Sequence, residues 1–106
     1  MSNFKVIKIE QTNPYYDPDK AYDGGGYDQP KYTFLFRGIQ GTFTDSSCGA
    51  FGMRYDLNWN GLIANYDDVG RDIDVYSDFD PDNSVHAELL HEIQQLTGYK
   101  VVTKYD

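Results

Sequence analysis

Apolar residues alternate with polar ones along most of this chain, a period of two that predicts strands, and take up helical spacing near its C-terminal end. Phe4 to Glu10 (FKVIKIE) puts Phe4 and Val6 on one face and Ile7 and Ile9 on the other. That predicts a short strand covered at least partly on both sides. A second strand spans Tyr32 to Arg37, and after Gly38 a continuation or partner runs from Ile39 to Thr44. Phe51 to Leu57 places Phe51, Met53, Tyr55 and Leu57 together. Asn58 to Gly61 reads as a turn, because Asn-Gly accepts the positive φ of a tight hairpin, and Leu62 to Tyr66 returns as the partner strand. After a second turn, Asp67 to Gly70, the stretch Asp72 to Tyr76 sets Ile73, Val75 and Ser77 against Asp72, Asp74 and Tyr76.

The helical pattern starts near Ser84, where Asp82, Asn83 or Ser84 can cap the free backbone amides. Val85, Leu89, Leu90, Ile93 and Leu96 form one apolar stripe, and Gly98 ends the helix. Lys100 to Lys104 (KVVTK) reads as a final short strand. Between the first two strands, Gln11 to Lys31 contains three prolines, three consecutive glycines and no aliphatic side chain larger than Ala21, so it is a long loop. The expected fold class is α+β: a single domain over residues 1–106, with an antiparallel sheet of five or six strands. An amphipathic helix from about Val85 to Thr97 packs on the sheet and is followed by a short strand.

Charge changes the picture more than composition does. Nine basic residues against seventeen acidic ones give a formal net charge of −8, which argues against direct binding of nucleic acid and for a basic protein partner. The excess is local: residues 56–82 hold eight aspartates against Arg71 alone. Fourteen of the seventeen acids are Asp, whose short side chain keeps its carboxylate close to the backbone with little rotamer freedom to lose. On a strand, alternate carboxylates lie about 6.6 Å apart, and each strand of duplex DNA advances about 3.4 Å per phosphate. Asp72 and Asp74 could therefore match two phosphate steps, and Asp78, Asp80 and Asp82 could extend the series. The same aspartates also suit a solvated edge with turn and cap residues, which discourages unwanted strand pairing.

Several other chemistries are weaker. Asp78, Asp80 and Asp82 before a helix resemble the start of a calcium loop, but Asn83 replaces its glycine and Leu89 stands where a bidentate carboxylate belongs. Cys48, the only cysteine, precludes an intramolecular disulfide; with His86 and His91 it follows the order of some cysteine hydrolases, though spacing alone cannot bring the three together. His86 and His91 are five apart and do not stack on a helix face as paired metal ligands would. Gly24, Gly25 and Gly26 lack the lysine and helix of a phosphate-binding loop. The long loop is more suggestive, since Tyr15, Tyr16, Tyr22 and Tyr27 sit among Asp, Asn and Gly in a mixture typical of recognition loops. Trp59 is either an anchor at the hairpin tip or a cap on the sheet core.

No run approaches the roughly 20 apolar residues of a membrane span, and the first ten lack the apolar core of a signal peptide, so a cytoplasmic protein is expected. The functional expectation is a small acidic, non-enzymatic binding protein that inhibits a basic nucleic-acid-handling target by mimicking a phosphate backbone. A phage or mobile-element inhibitor of a nuclease, of the anti-CRISPR or anti-restriction type, has this size and charge. The expected contacts are Asp67, Asp68, Asp72, Asp74, Tyr76, Asp78, Phe79, Asp80 and Asp82 with the four loop tyrosines, and neither cofactor nor metal is expected. The alternative is a calcium- or ligand-binding module using Asp78, Asp80 and Asp82. The oligomeric state stays open, with a two-fold dimer through the helix stripe available if the sheet does not consume it.

Overall fold

The computed structural model describes residues 3–11, 30–45, 54–67 and 75–104. Six strands, β1 (Phe4–Glu10), β2 (Lys31–Phe36), β3 (Ile39–Asp45), β4 (Arg54–Trp59), β5 (Leu62–Asp67) and β6 (Tyr76–Ser77), precede a helix, α1 (Ser84–Thr97). The strands form one antiparallel sheet in the order of the sequence, the meander that the alternating pattern predicts. The fold is α+β.

Two-residue turns fix the registers. Asn60 and Gly61 both have positive φ, 51° and 75°, which matches the right-handed twist of the flanking strands. The turn is therefore two residues shorter than the pattern suggests, and Trp59 belongs to β4. Its side chain is buried, and its indole N–H donates to the carbonyls of Phe36 (3.3 Å) and Ile39 (3.1 Å) on either side of the Arg37-Gly38 turn. Trp59 thus caps the sheet core rather than serving as a free anchor at the hairpin tip.

One face of the sheet carries the core. Phe34, Phe36, Phe43, Tyr55, Leu57, Trp59 and Ala64 meet Phe79, Leu89, Ile93 and Val101. Aromatic rings fill much of it: Phe43 stacks on Tyr55 at 5.4 Å between centroids, and Tyr99 touches both rings at 5.7 and 5.8 Å. Leu89 and Ile93 are fully buried, so the sheet consumes the helix stripe and removes it as a dimer surface. Asn83 is the N-cap, its side-chain oxygen accepting from the amides of Val85 and His86, and Gly98 closes the other end in the left-handed conformation.

Two expectations change at the margins. β1 has a register irregularity between Val6 and Lys8 that brings Ile9 opposite Tyr32, onto the side of Phe4 and Val6 rather than away from it. Phe4 stacks on Phe34 (5.0 Å), whereas Ile7 and Ile9 stay exposed, because an edge strand has a packed neighbour on one side of its length only. Beyond the helix, the chain from Lys100 to Lys104 adds no strand to the sheet. Val101 is buried, the Val102 N–H donates to the Tyr55 hydroxyl (2.7 Å), and the Lys104 N–H donates to the Phe79 carbonyl (3.1 Å). Its alternation therefore answers to packing beneath the sheet rather than to a ladder.

Candidate binding surface

With Tyr55, Leu57 and Trp59 turned into the core, alternation sends Arg54, Asp56 and Asn58 of β4 to the opposite face. The β4–β5 register sets Asp56 beside Asn65 and Asn58 beside Ile63, and the β5–β6 register sets Asn65 beside Tyr76. These residues therefore share the face that the helix leaves open. At its centre, Ile63 and Tyr76 are 42% and 50% exposed.

Asp78 completes the patch. One carboxylate oxygen accepts the Ile63 N–H (2.9 Å), the other accepts the Tyr76 hydroxyl, and the Asp78 N–H donates to the Ile63 carbonyl (2.9 Å). The Tyr76 N–H is held by the side-chain oxygen of Asn65 (3.0 Å). The hydrogen bond from Tyr76, followed by that from the Ile63 amide, holds the Asp78 carboxyl below its ordinary range. The same bond, together with repulsion from the Asp78 charge, raises the Tyr76 hydroxyl above its ordinary value. Asp78 thus stays ionised, and the aromatic ring is fixed beside it.

The next two aspartates serve the turn into α1. Asp80 accepts the Asp82 N–H (2.9 Å), its other oxygen faces Lys104 Nζ at 4.0 Å, and its own N–H donates to His86 Nδ1 (3.0 Å). The His86 ring meets the Phe79 ring edge-on at 5.5 Å. Asp82 is exposed, as is His91 on the helix. Among the described residues, no three His, Cys, Asp or Glu side chains are gathered so as to hold a metal ion.

Of the expected contact residues, Tyr76 and Asp78 come together on one outward patch, with Asp80 and Asp82 in the following turn. Two others are corrected. Phe79 is fully buried, since its position between Asp78 and Asp80 points it under the sheet against the helix, and it cannot meet a partner. Asp67 is only 7% exposed at the end of β5, opposite Arg54, so it does not belong to an outward acidic wall. Asp68, Asp72, Asp74, the loop residues Tyr15, Tyr16, Tyr22 and Tyr27, and Cys48 lie outside the described residues. Conversely, Ile63, Asn65 and Asn58 were not singled out by sequence. The signal for them was the hairpin register set by Asn60-Gly61, because paired residues share a face and the burial of Leu57 with Ala64 turns the adjacent pairs outward.

No helix among the described residues is long and apolar enough to cross a membrane. Compared with known proteins, the chain matches no family model, no curated protein and no solved structure.

Proposed function

We propose that this chain is a small non-enzymatic binding protein that occupies a basic, nucleic-acid-handling surface on another protein and so excludes nucleic acid from it. The observation that carries this reading is the exposed pair Ile63 and Tyr76, flanked by the carboxylates of Asp56 and Asp78, within the stretch that holds most of the net charge. Effective interfaces pair a desolvated apolar or aromatic centre with a polar rim, and tyrosine is enriched among the residues that dominate binding energy. The carboxylates speed encounter and orient the two molecules, whereas burial of Tyr76 and Ile63 slows dissociation.

The target class is one whose own substrate is a polyanion, such as a nuclease or a CRISPR or restriction effector, which makes the chain a phage or mobile-element type of inhibitor. Its fixed aspartates stand in for phosphates. Capture from a native host lysate tests this with two arms, wild type and the Asp56→Lys, Tyr76→Ala variant. Wild type is expected to retain nucleic-acid-binding proteins that added duplex DNA releases, and the variant is expected to lose them. Retention that neither DNA nor the variant alters refutes the reading.

A further inference from the structure

We propose that the outer edge of β1, on which no described strand lies, is a two-fold interface, where a second copy of this chain pairs its own β1 antiparallel with Ile9 opposite the partner's Ile9. β1 ends the sheet, paired with β2 and, among the described residues, with no other strand. Ile9 is 58% exposed, a large β-branched side chain on this terminal strand of the sheet. Past the irregularity between Val6 and Lys8, the residues Lys8, Ile9 and Glu10 run in regular register opposite Thr33, Tyr32 and Lys31. They therefore present a straight segment able to accept a further strand.

Charge selects the occupant. Edge strands usually resist pairing with their own kind because their lysines would face one another. Lys8-Ile9-Glu10, read antiparallel against itself about Ile9, instead places Lys8 opposite the partner's Glu10, twice by symmetry, with the two isoleucines between. Opposite charges and β-branched residues directly across a ladder both favour pairing. Within one chain, Lys8 Nζ already lies 3.3 Å from Glu10 Oε1, and both side chains are largely exposed, so exchanging the two weak intrachain pairs of the dimer for two across the interface costs little. Because each copy contributes the same edge, the contact is isologous and closes at a dimer instead of growing into a filament. The register irregularity between Val6 and Lys8 keeps the ladder short, so the dimer is weak and forms at high concentration. It also lies at the opposite end of the sheet from Tyr76 and Asp78, and its fate is independent of the binding function proposed above.

Sedimentation velocity of the full chain up to millimolar concentration provides the test. The 12.2 kDa monomer is expected to shift toward twice its mass. Lys8→Glu alone, or Glu10→Lys alone, sets like charges opposite each other and is expected to weaken the dimer by about tenfold or more. Lys8→Glu combined with Glu10→Lys restores complementarity in the same register and is expected to restore the dimer. Circular dichroism confirms that each variant stays folded. A wild type that remains monomeric, single variants that dimerise as well as wild type, or a double variant as weak as the singles would each overturn the proposal.

Discussion

Gly41 sits on the core face of β3, opposite Trp59, where two neighbours leave no room for a side chain. A Cβ there would lie 2.5 Å from the tip of the Phe34 ring and 2.6 Å from the Asn58 carbonyl oxygen. Neither can retreat easily, since Phe34 is fully buried and the carbonyl belongs to the sheet backbone. Gly41→Ala is therefore expected to destabilise by about 1–3 kcal/mol, as overpacking does, despite the better strand propensity of alanine. Urea denaturation measures it, and an unchanged midpoint would mean that β3 and β4 lie further apart at this point. On the other face, Tyr76 and Asp78 make a residue-scale prediction in pH. The bond lowers the carboxyl, so its contribution is complete above about pH 3.9 and is lost as pH falls through the folded-state titration. It raises the phenol, so the same contribution holds below about pH 10 and is lost as pH rises through the folded value. Tyr76→Phe is expected to move the Asp78 titration upward, read from its carboxyl carbon or from the Ile63 amide that it accepts. An unmoved titration would show that the Ile63 amide alone sets it.

The helix illustrates how an element depends on its ends. No acidic residue occupies its first turn, so the Asn83 side chain carries the N-terminal capping, accepting from Val85 N–H at 2.9 Å and His86 N–H at 3.3 Å. Asn83→Ala is expected to cost about 1 kcal/mol in thermal or urea unfolding, and Asn83→Ser to recover most of it. The cap, to within Asp82, Asn83 and Ser84, the apolar stripe and Gly98 were legible in the sequence, because helix signals are local. The strands from β1 to β5 were legible for the same reason, through alternation and the Asn-Gly turn. What the chain could not disclose was set by distant partners. Trp59 leaves the turn because Phe36 and Ile39 offer it carbonyls 20 or more residues away. Phe79 leaves the acidic surface because Leu89, Ile93 and His86 come to lie beneath it. Lys100 to Lys104 has a strand's alternation, yet Tyr55 and Phe79 take up its amides singly. For the candidate surface, Tyr76 and Asp78 could be named from charge and aromaticity. Ile63 could not, since LIANY offers an apolar residue to either face and only the burial of Leu57 and Ala64 decides between them.

At the scale of the whole molecule, attraction and repulsion among charges are unevenly matched. The ion pairs among the described residues include Lys8 with Glu10, Arg37 with Glu88 and Lys104 with Asp80, these three substantially exposed and therefore weak. Against them stands a net charge of −8, concentrated in a stretch where eight aspartates meet a single arginine. Self-repulsion of this kind disfavours the compact state more than the expanded one, because unfolding lets the charges separate. Raising the ionic strength from about 0.01 M to about 0.15 M shortens the screening length from roughly 30 Å to roughly 8 Å, which removes repulsion across the molecule while leaving contacts of 3 to 4 Å less affected. The melting temperature is thus expected to rise over this range; at this size each 1 kcal/mol gained corresponds to roughly 4–8 °C. Association with a basic partner should respond in the opposite sense, its on-rate falling as the same salt is added. Thermal melts in sodium chloride check the first response directly. A melting temperature that falls with salt would mean that the exposed ion pairs outweigh the aspartate cluster, and it would weaken the case that this cluster is kept for a partner rather than for stability.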